Sequence, residues 1–234
     1  DKRMEKTELG MEVENEKGII GQEIRMYEDD PAWTVYGQML EMMYENHPVR
    51  NSVAGTAKTV ESINAEVLQK AYEAYYTTEN MVLICTGDVS VKQIRKAAEV
   101  VQNRHNNTRV YFPMEKNDIL EKYREKKMEL SLPCFQIGFK FLPVPREKWL
   151  QTRIGMGFLM EMLAGESSSF YQNAYERKLL DEPMGTAFFC GEGYAFAAFS
   201  GTGEQPEETA ELLAQELKRL QKKLGITFYE GAIE

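Results

Sequence analysis

The stretch from about Thr7 to Tyr27 reads as a helix with carboxylates at its start, where the macrodipole favours them. Gly18 and Gly21 lie inside it, and each costs about 1 kcal/mol relative to alanine. Their presence predicts that another backbone packs closely there. Asp30-Pro31 reads as an N-cap with proline at the first helical position. Trp33, Val35, Tyr36, Met39, Leu40, Met43 and Tyr44 then hold a 3.6 period until His47-Pro48 ends the helix. Small residues from Asn51 to Thr59 lead to a helix capped by Asn64, whose expected buried stripe is Val67, Leu68, Ala71, Tyr72 and Tyr75. The continuous apolar run Met81 to Thr86 predicts a buried strand. After the turn at Gly87-Asp88, Ser90 caps a helix with Ile94, Ala97, Ala98 and Val101 facing inward.

The segment Asn103 to Asp118 is polar, contains Pro113 and has no period, so it is read as a linker between two domains, 1–112 and 113–234. Beyond it the alternation of Met128, Leu130 and Leu132, and of Phe135, Ile137, Phe139 and Phe141, predicts two strands broken at Pro133. A helix from about Arg146 to Leu163 follows, with Trp149, Leu150, Ile154 and Phe158 on one face. The serine run 167–169 opens another helix that reaches Leu180. Ala187 to Cys190 and Tyr194 to Ser200, joined by Gly191-Glu192-Gly193, predict a hairpin. Pro206 starts the last complete helix, which ends at Gly225.

Thr227 and Glu230 have capping-box spacing, so a helix is announced where the sequence stops. The first helix is equally abrupt. The chain therefore reads as a piece of a longer protein. Ile84 to Asp88 with its helix also echoes Phe199 to Glu204 with its helix, a strand–turn–helix pattern present twice and consistent with a duplicated α+β fold.

Composition narrows the function. The 43% hydrophobic content supports a core, and no apolar run approaches the roughly 18 residues of a membrane helix. Lys+Arg 28 against Asp+Glu 37 gives a net charge of -9, with no basic cluster above that background, which argues against nucleic acid and anionic membranes as partners. Cys85, Cys134 and Cys190 are an odd set among apolar residues, the pattern of buried reduced thiols, and the expected location is cytoplasmic.

The chain has only two histidines, His47 and His105, in separate loops, and no H-x-x-x-H, H-x-x-E-H or C-x-x-C. No complete metal site is written in it. A P-loop and a G-x-S-x-G elbow are also absent, and Gly191-x-Gly193 lacks the third glycine and following helix of a dinucleotide fingerprint. Glu16 and Glu23 remain. Seven residues are nearly two helical turns, so the two carboxylates share a face about 10 Å apart. One reading makes Glu23 a metal ligand supported by Glu16; the other makes both part of a solvated acidic face.

The segment Glu16-Lys-Gly-Ile-Ile-Gly-Gln-Glu23-Ile24, followed by Asp29-Asp30-Pro31, resembles the third-ligand helix of pitrilysin/insulinase-type zinc peptidases, the inverzincins. His47-Pro48, Gly55-Thr56, Ile63-Asn64, Tyr75-Tyr76, Asn80-Met81-Val82 and Gly87-Asp88 extend the likeness. Gln136 to Phe139, and Leu163 to Phe170 through Glu176-Arg177, resemble the family's second, homologous domain. The resemblance implies an α+β fold of duplicated two-layer helix/sheet domains: the C-terminal part of the zinc-ligand domain, then most of its homologue. It implies a parent zinc metalloendopeptidase acting on peptides, with Glu23 as third zinc ligand and Glu16 as a supporting carboxylate. Because H-x-x-E-H is absent, this chain alone is expected to be inactive and to bind no zinc. Arg177 matches an arginine that holds the substrate backbone in the family, but Asp181-Glu-Pro-Met-Gly185 offers no companion tyrosine, and a helix-end ion pair is its other role. The family also contains metal-free members that serve as binding or assembly halves, and pairing as a dimer or with a paralogue is compatible with either.

Overall fold

The structure, a computed structural model, describes residues 6–99 and 111–224. They fall into two compact units, one drawn from the span Asp1–Ile24 with Ala54–Tyr111, the other from Arg25–Val53 with Phe112–Glu234, in each case the described residues of that span. Among the described residues no helix is long and apolar enough to cross a membrane.

The first unit contains most of α1 (Lys6–Asp29), and α3 (Ala57–Glu61), α4 (Ala65–Tyr75) and α5 (Val91–Ala98). Local chemistry sets the helix starts. Thr56 and Thr59 form a reciprocal capping box, and the Asn64 side chain accepts from the Val67 N–H at 3.0 Å. Two expectations fail here. The stripe Val67, Leu68, Tyr72 and Tyr75 on α4 is exposed, and the run Met81 to Thr86 forms no strand, with Val82 86% and Ile84 80% exposed. A strand needs a hydrogen-bonded neighbour and a face to cover, and the described residues of this unit supply neither. The proposed echo of strand, turn and helix is therefore met only by its second copy. Among the described residues, Gly18 likewise has nothing within 4 Å of where a Cβ would stand.

The second unit is built on an antiparallel sheet of β1 (Cys134–Phe141), β3 (Tyr194–Thr202) and β2 (Gly185–Gly191), in the order β1-β3-β2. The hairpin β2–β3 turns through Gly191 to Tyr194, and β1 pairs along β3 from Cys134 opposite Thr202 to Phe141 opposite Ala195. Met128 to Leu132 is not a strand. Its alternation is real, but among the described residues no strand pairs with it.

Both faces of the central strand β3 are covered, which explains why it reads Ala-Phe-Ala-Ala-Phe rather than alternating with polar residues. Ala197 and Phe199 face a core shared with α6 (Trp149–Ala164), α7 (Ser169–Glu176) and α8 (Pro206–Leu224), including Met160, Leu163, Phe170 and Leu213. Phe196 and Ala198 face α2 (Pro31–Met43) through Met39, Leu40, Met43 and Tyr44. The helix α2 passes so close over Gly138 of β1 that any side chain there would overlap Met39 and Met43. Asp30 caps α2 with 2.8 and 3.2 Å bonds from the Ala32 and Trp33 N–H groups, and Ser168 caps α7.

In α6 the apolar face named above is not the one turned to the core. Met160, Leu163 and Ala164 are buried, while Leu150, Ile154 and Phe158 point outward. Cys85 is exposed and Cys134 and Cys190 are half-buried, so these free thiols are less shielded than expected. The capping box at Thr227 and Glu230, Val101, and the linker residues Asn103 to Val110 lie outside the described residues.

Candidate functional site

Glu16 and Glu23 both stand exposed on α1. The buried positions of that helix are Val13 and Ile24, and Lys17 is largely covered, its ammonium 2.8 Å from Glu14. At 100° per residue both glutamates flank this stripe on the same edge, two turns apart. The arrangement lets two carboxylates face one neighbour. Among the described residues no three His, Cys, Asp or Glu side chains converge as a metal site requires. The described side chains alone therefore do not form a site that fits the ion.

Arg177 belongs to the second unit. It is the C-cap of α7, and its N–H bonds to the Asn173 carbonyl at 3.1 Å. Its half-exposed guanidinium reaches Glu208 at 3.4 Å, beside a cavity of about 340 Å³ that Glu208, Glu211, Leu212 and Gln215 also line. A pair so exposed contributes roughly 0–1 kcal/mol, so Arg177 is readily released to another acceptor. With two carboxylates around it, the cavity suits a neutral carbonyl better than an anion. Lys178, the next residue, has φ 59 and ends α7 in a Schellman turn, Leu179 N–H to Ala174 carbonyl at 2.9 Å and Lys178 N–H to Tyr175 carbonyl at 3.0 Å.

One polar cluster in the second unit was not visible in the sequence. Glu115 accepts the N–H groups of Glu45, Asn46 and His47 at 2.8, 2.8 and 2.9 Å, just beyond the end of α2. The Lys140 ammonium, projecting from β1, donates to the Met43 carbonyl at 2.6 Å and the Asp118 carbonyl at 3.1 Å, and lies 3.4 Å from Glu115. Burial by itself raises the Glu115 pKa, but the three N–H donors and the Lys140 charge outweigh it and bring it down to about 2. Burial pulls the Lys140 ammonium below its ordinary value despite Glu115. Tyr44 closes the cluster: its hydroxyl donates to the Ala195 carbonyl at 3.0 Å, and Lys140 sits 4.7 Å from its ring centroid.

His47 is 2% exposed. The Val49 N–H donates to its Nδ1 at 3.1 Å, so the ring proton is on Nε2, which donates to the Glu192 carbonyl at 2.9 Å. Phe112 stacks on the imidazole at 5.3 Å. Every polar atom of Lys140, Glu115 and His47 described here is engaged with backbone or with its neighbour, which suits fixing the segment 112–118 against the end of α2 and leaves none for chemistry. That segment is accordingly anchored, where the sequence reads as linker.

Comparison with known proteins bears on the choice between these features. A family model described as the peptidase M16 inactive domain matches residues 62–230. The Bacillus subtilis (strain 168) protein named uncharacterized zinc protease YmfH is 34% identical over 216 residues, 88% of this chain and 50% of the relative. A second B. subtilis protein, named uncharacterized zinc protease YmxG, is 28% identical over 225 residues, 94% of this chain and 53% of its own. Among solved structures, an M16-like peptidase from Alicyclobacillus acidocaldarius superposes with a TM-score of 0.84 at 26% identity, over 92% of this chain and 52% of that one. A Helicobacter pylori protease shares the fold at a TM-score of 0.74 and 17% identity. The chain spans about half the length of the curated relatives it matches.

Proposed function

The chain belongs to the M16 peptidase family, the pitrilysin/insulinase type its sequence resembles, and from that premise we propose that it is part of a zinc-dependent metalloendopeptidase that hydrolyses peptides. Glu23 supplies one carboxylate to the metal, and Glu16 supports it from the same edge of α1. Zinc, if bound by the complete protein, would supply a Lewis acid for the scissile carbonyl and for a water molecule. The remaining ligands come from outside this chain, which by itself is inactive. Arg177 holds a substrate carbonyl beside the cavity on α8. The domain reading places the zinc-ligand domain in 1–112 and its homologue in 113–234. The compartment is cytoplasmic, in keeping with free thiols, and the protein works as a dimer or with a paralogue.

The observation that carries this reading is the joint presence of Glu16 and Glu23 on one exposed edge of α1, in a chain whose relatives are named zinc proteases. Hydrolysis of an unstructured peptide by the full-length protein tests it. Glu23→Gln is expected to abolish turnover, and Arg177→Ala to raise KM with a smaller change in kcat. Full activity in Glu23→Gln contradicts the assignment. A second reading, a metal-free partner subunit of the same fold, is favoured by one fact: the matching family model describes an inactive domain. A full-length protein that binds peptide without cleaving it supports that alternative.

A further inference from the structure

The backbone of Arg177 is fixed more firmly than its side chain. Its N–H bonds to the Asn173 carbonyl, and the turn through Lys178 and Leu179 closes α7 directly behind it. Ala174, one turn earlier, is fully buried in the core that also holds Leu212 and Leu213 of α8. The end of α7 is thereby seated on the first half of α8. Glu208, Leu212 and Gln215 recur at helical spacing and share the face of α8 that borders the cavity. The packing that buries Ala174 thus also sets where the Arg177 and Glu208 side chains start from.

The guanidinium is half-exposed and reaches Oε1 of Glu208 through Nη1 at 3.4 Å. A charge-assisted bond at full strength runs at about 2.7–2.9 Å, so this contact is loose. It also engages a single N–H, whereas arginine has about five. Donors therefore remain for a carbonyl in the cavity while Glu208 stays where it is. The apolar Leu212 beside them takes no hydrogen bond. Holding a long side chain at the cavity removes in advance part of the rotamer freedom that binding would otherwise take away. Glu207 stands in the same first turn of α8 and answers the macrodipole equally well, but of the two only Glu208 lines the cavity.

We infer that Glu208 is a positioning residue for substrate: it holds the Arg177 guanidinium at the cavity, ready to donate to a main-chain carbonyl of the peptide. The inference rests on the reading of Arg177 as the residue that holds a substrate carbonyl, and it adds the group that orients it. Exposure bounds the effect. A pair this open is worth at most about fivefold in an equilibrium, and salt screens it.

The test uses the full-length protein and an end-blocked peptide with a neutral fluorophore and no charged side chains, so that salt acts on the protein alone. Fluorescence anisotropy gives Kd and hydrolysis gives KM and kcat; Kd suffices where the protein binds without cleaving. Arg177→Ala is expected to weaken binding at least about tenfold, as loss of a charged donor does. Glu208→Gln is expected to raise Kd and KM about two- to fivefold with kcat unchanged. It adds nothing in the Arg177→Ala background, because the carboxylate acts through the guanidinium. High salt brings the wild type to the level of Glu208→Gln and leaves that variant where it is. Glu207→Gln removes a carboxylate from the same turn and leaves Kd and KM at wild-type values, with thermal melts showing both variants folded. An effect of Glu208→Gln that persists without Arg177, that Glu207→Gln reproduces, or that is absent while Arg177→Ala still weakens binding overturns the inference and leaves the substrate reading standing. Tighter binding by Glu208→Gln also overturns it, since the carboxylate then competes for Arg177. If Arg177→Ala has no effect, or the wild type does not bind the peptide, both fall.

Discussion

The Glu115 carboxylate lies 3.4 Å from the Lys140 ammonium, with both side chains 5% exposed. A buried pair of this kind is costly to break, because the survivor keeps its charge without compensation. Folding lowers the Glu115 pKa from 4.5 to about 2, so it favours the charged form. The resulting stabilisation is complete above pH 4.5 and is lost as pH falls through about 2; at about 1.36 kcal/mol per pH unit it is on the order of 3 kcal/mol. Urea unfolding of Glu115→Gln is expected to show a loss of that order at pH 7. The gap to wild type should close below pH 2. A gap that is constant with pH contradicts the electrostatic account.

Gly193 and His47 are fitted to each other. Gly193 has φ +79, and a Cβ there would lie 3.3 Å from the imidazole. Gly193→Ala adds left-handed backbone strain to that tight contact and is expected to cost about 1–3 kcal/mol. His47→Phe keeps the stacking on Phe112 but orphans the Glu192 carbonyl and the Val49 N–H, at about 1–3 kcal/mol each. Thermal melts check both, and unchanged midpoints reject the fit.

Lys178 occupies a left-handed position that glycine adopts without strain. Lys178→Gly is expected to stabilise the chain by about 1 kcal/mol, less whatever flexibility glycine adds to the unfolded state. The Schellman bonds from Lys178 and Leu179 remain in the variant. A lower denaturant midpoint means that the lysine side chain has a role the turn does not explain.

Gly18 stands on an open part of α1. Gly18→Ala is expected to raise the stability of this chain by about 1 kcal/mol. Helical circular dichroism on heating reads the change. Destabilisation indicates a close neighbour on that side of α1.

Features fixed by a few consecutive residues were legible in the sequence. The caps at Asp30, Asn64 and Ser168 and the hairpin through Gly191–Tyr194 each depend on neighbours in the chain. Features that depend on distant partners were not. Met81 to Thr86 has the composition of a strand, but pairing is a property of two segments. For α6, periodicity fits two faces equally, since Met156, Met160 and Leu163 are as apolar as Leu150, Ile154 and Phe158; only the sheet decides between them. The shared edge of Glu16 and Glu23 follows directly from the helical repeat. The Glu115 cluster does not, because its members stand 68 and 25 positions apart. Its one trace in the sequence is Lys140 between Phe139 and Phe141, a charge in an otherwise apolar strand.

The most direct test of the functional account is the zinc content of the full-length protein, purified without added metal, beside Glu23→Gln. Stoichiometric zinc in the wild type, with loss or at least about tenfold weaker binding in the variant, is the predicted result, in line with removal of a ligand. Zinc retained equally in Glu23→Gln, or none in the wild type, contradicts it and leaves a metal-free member of the family.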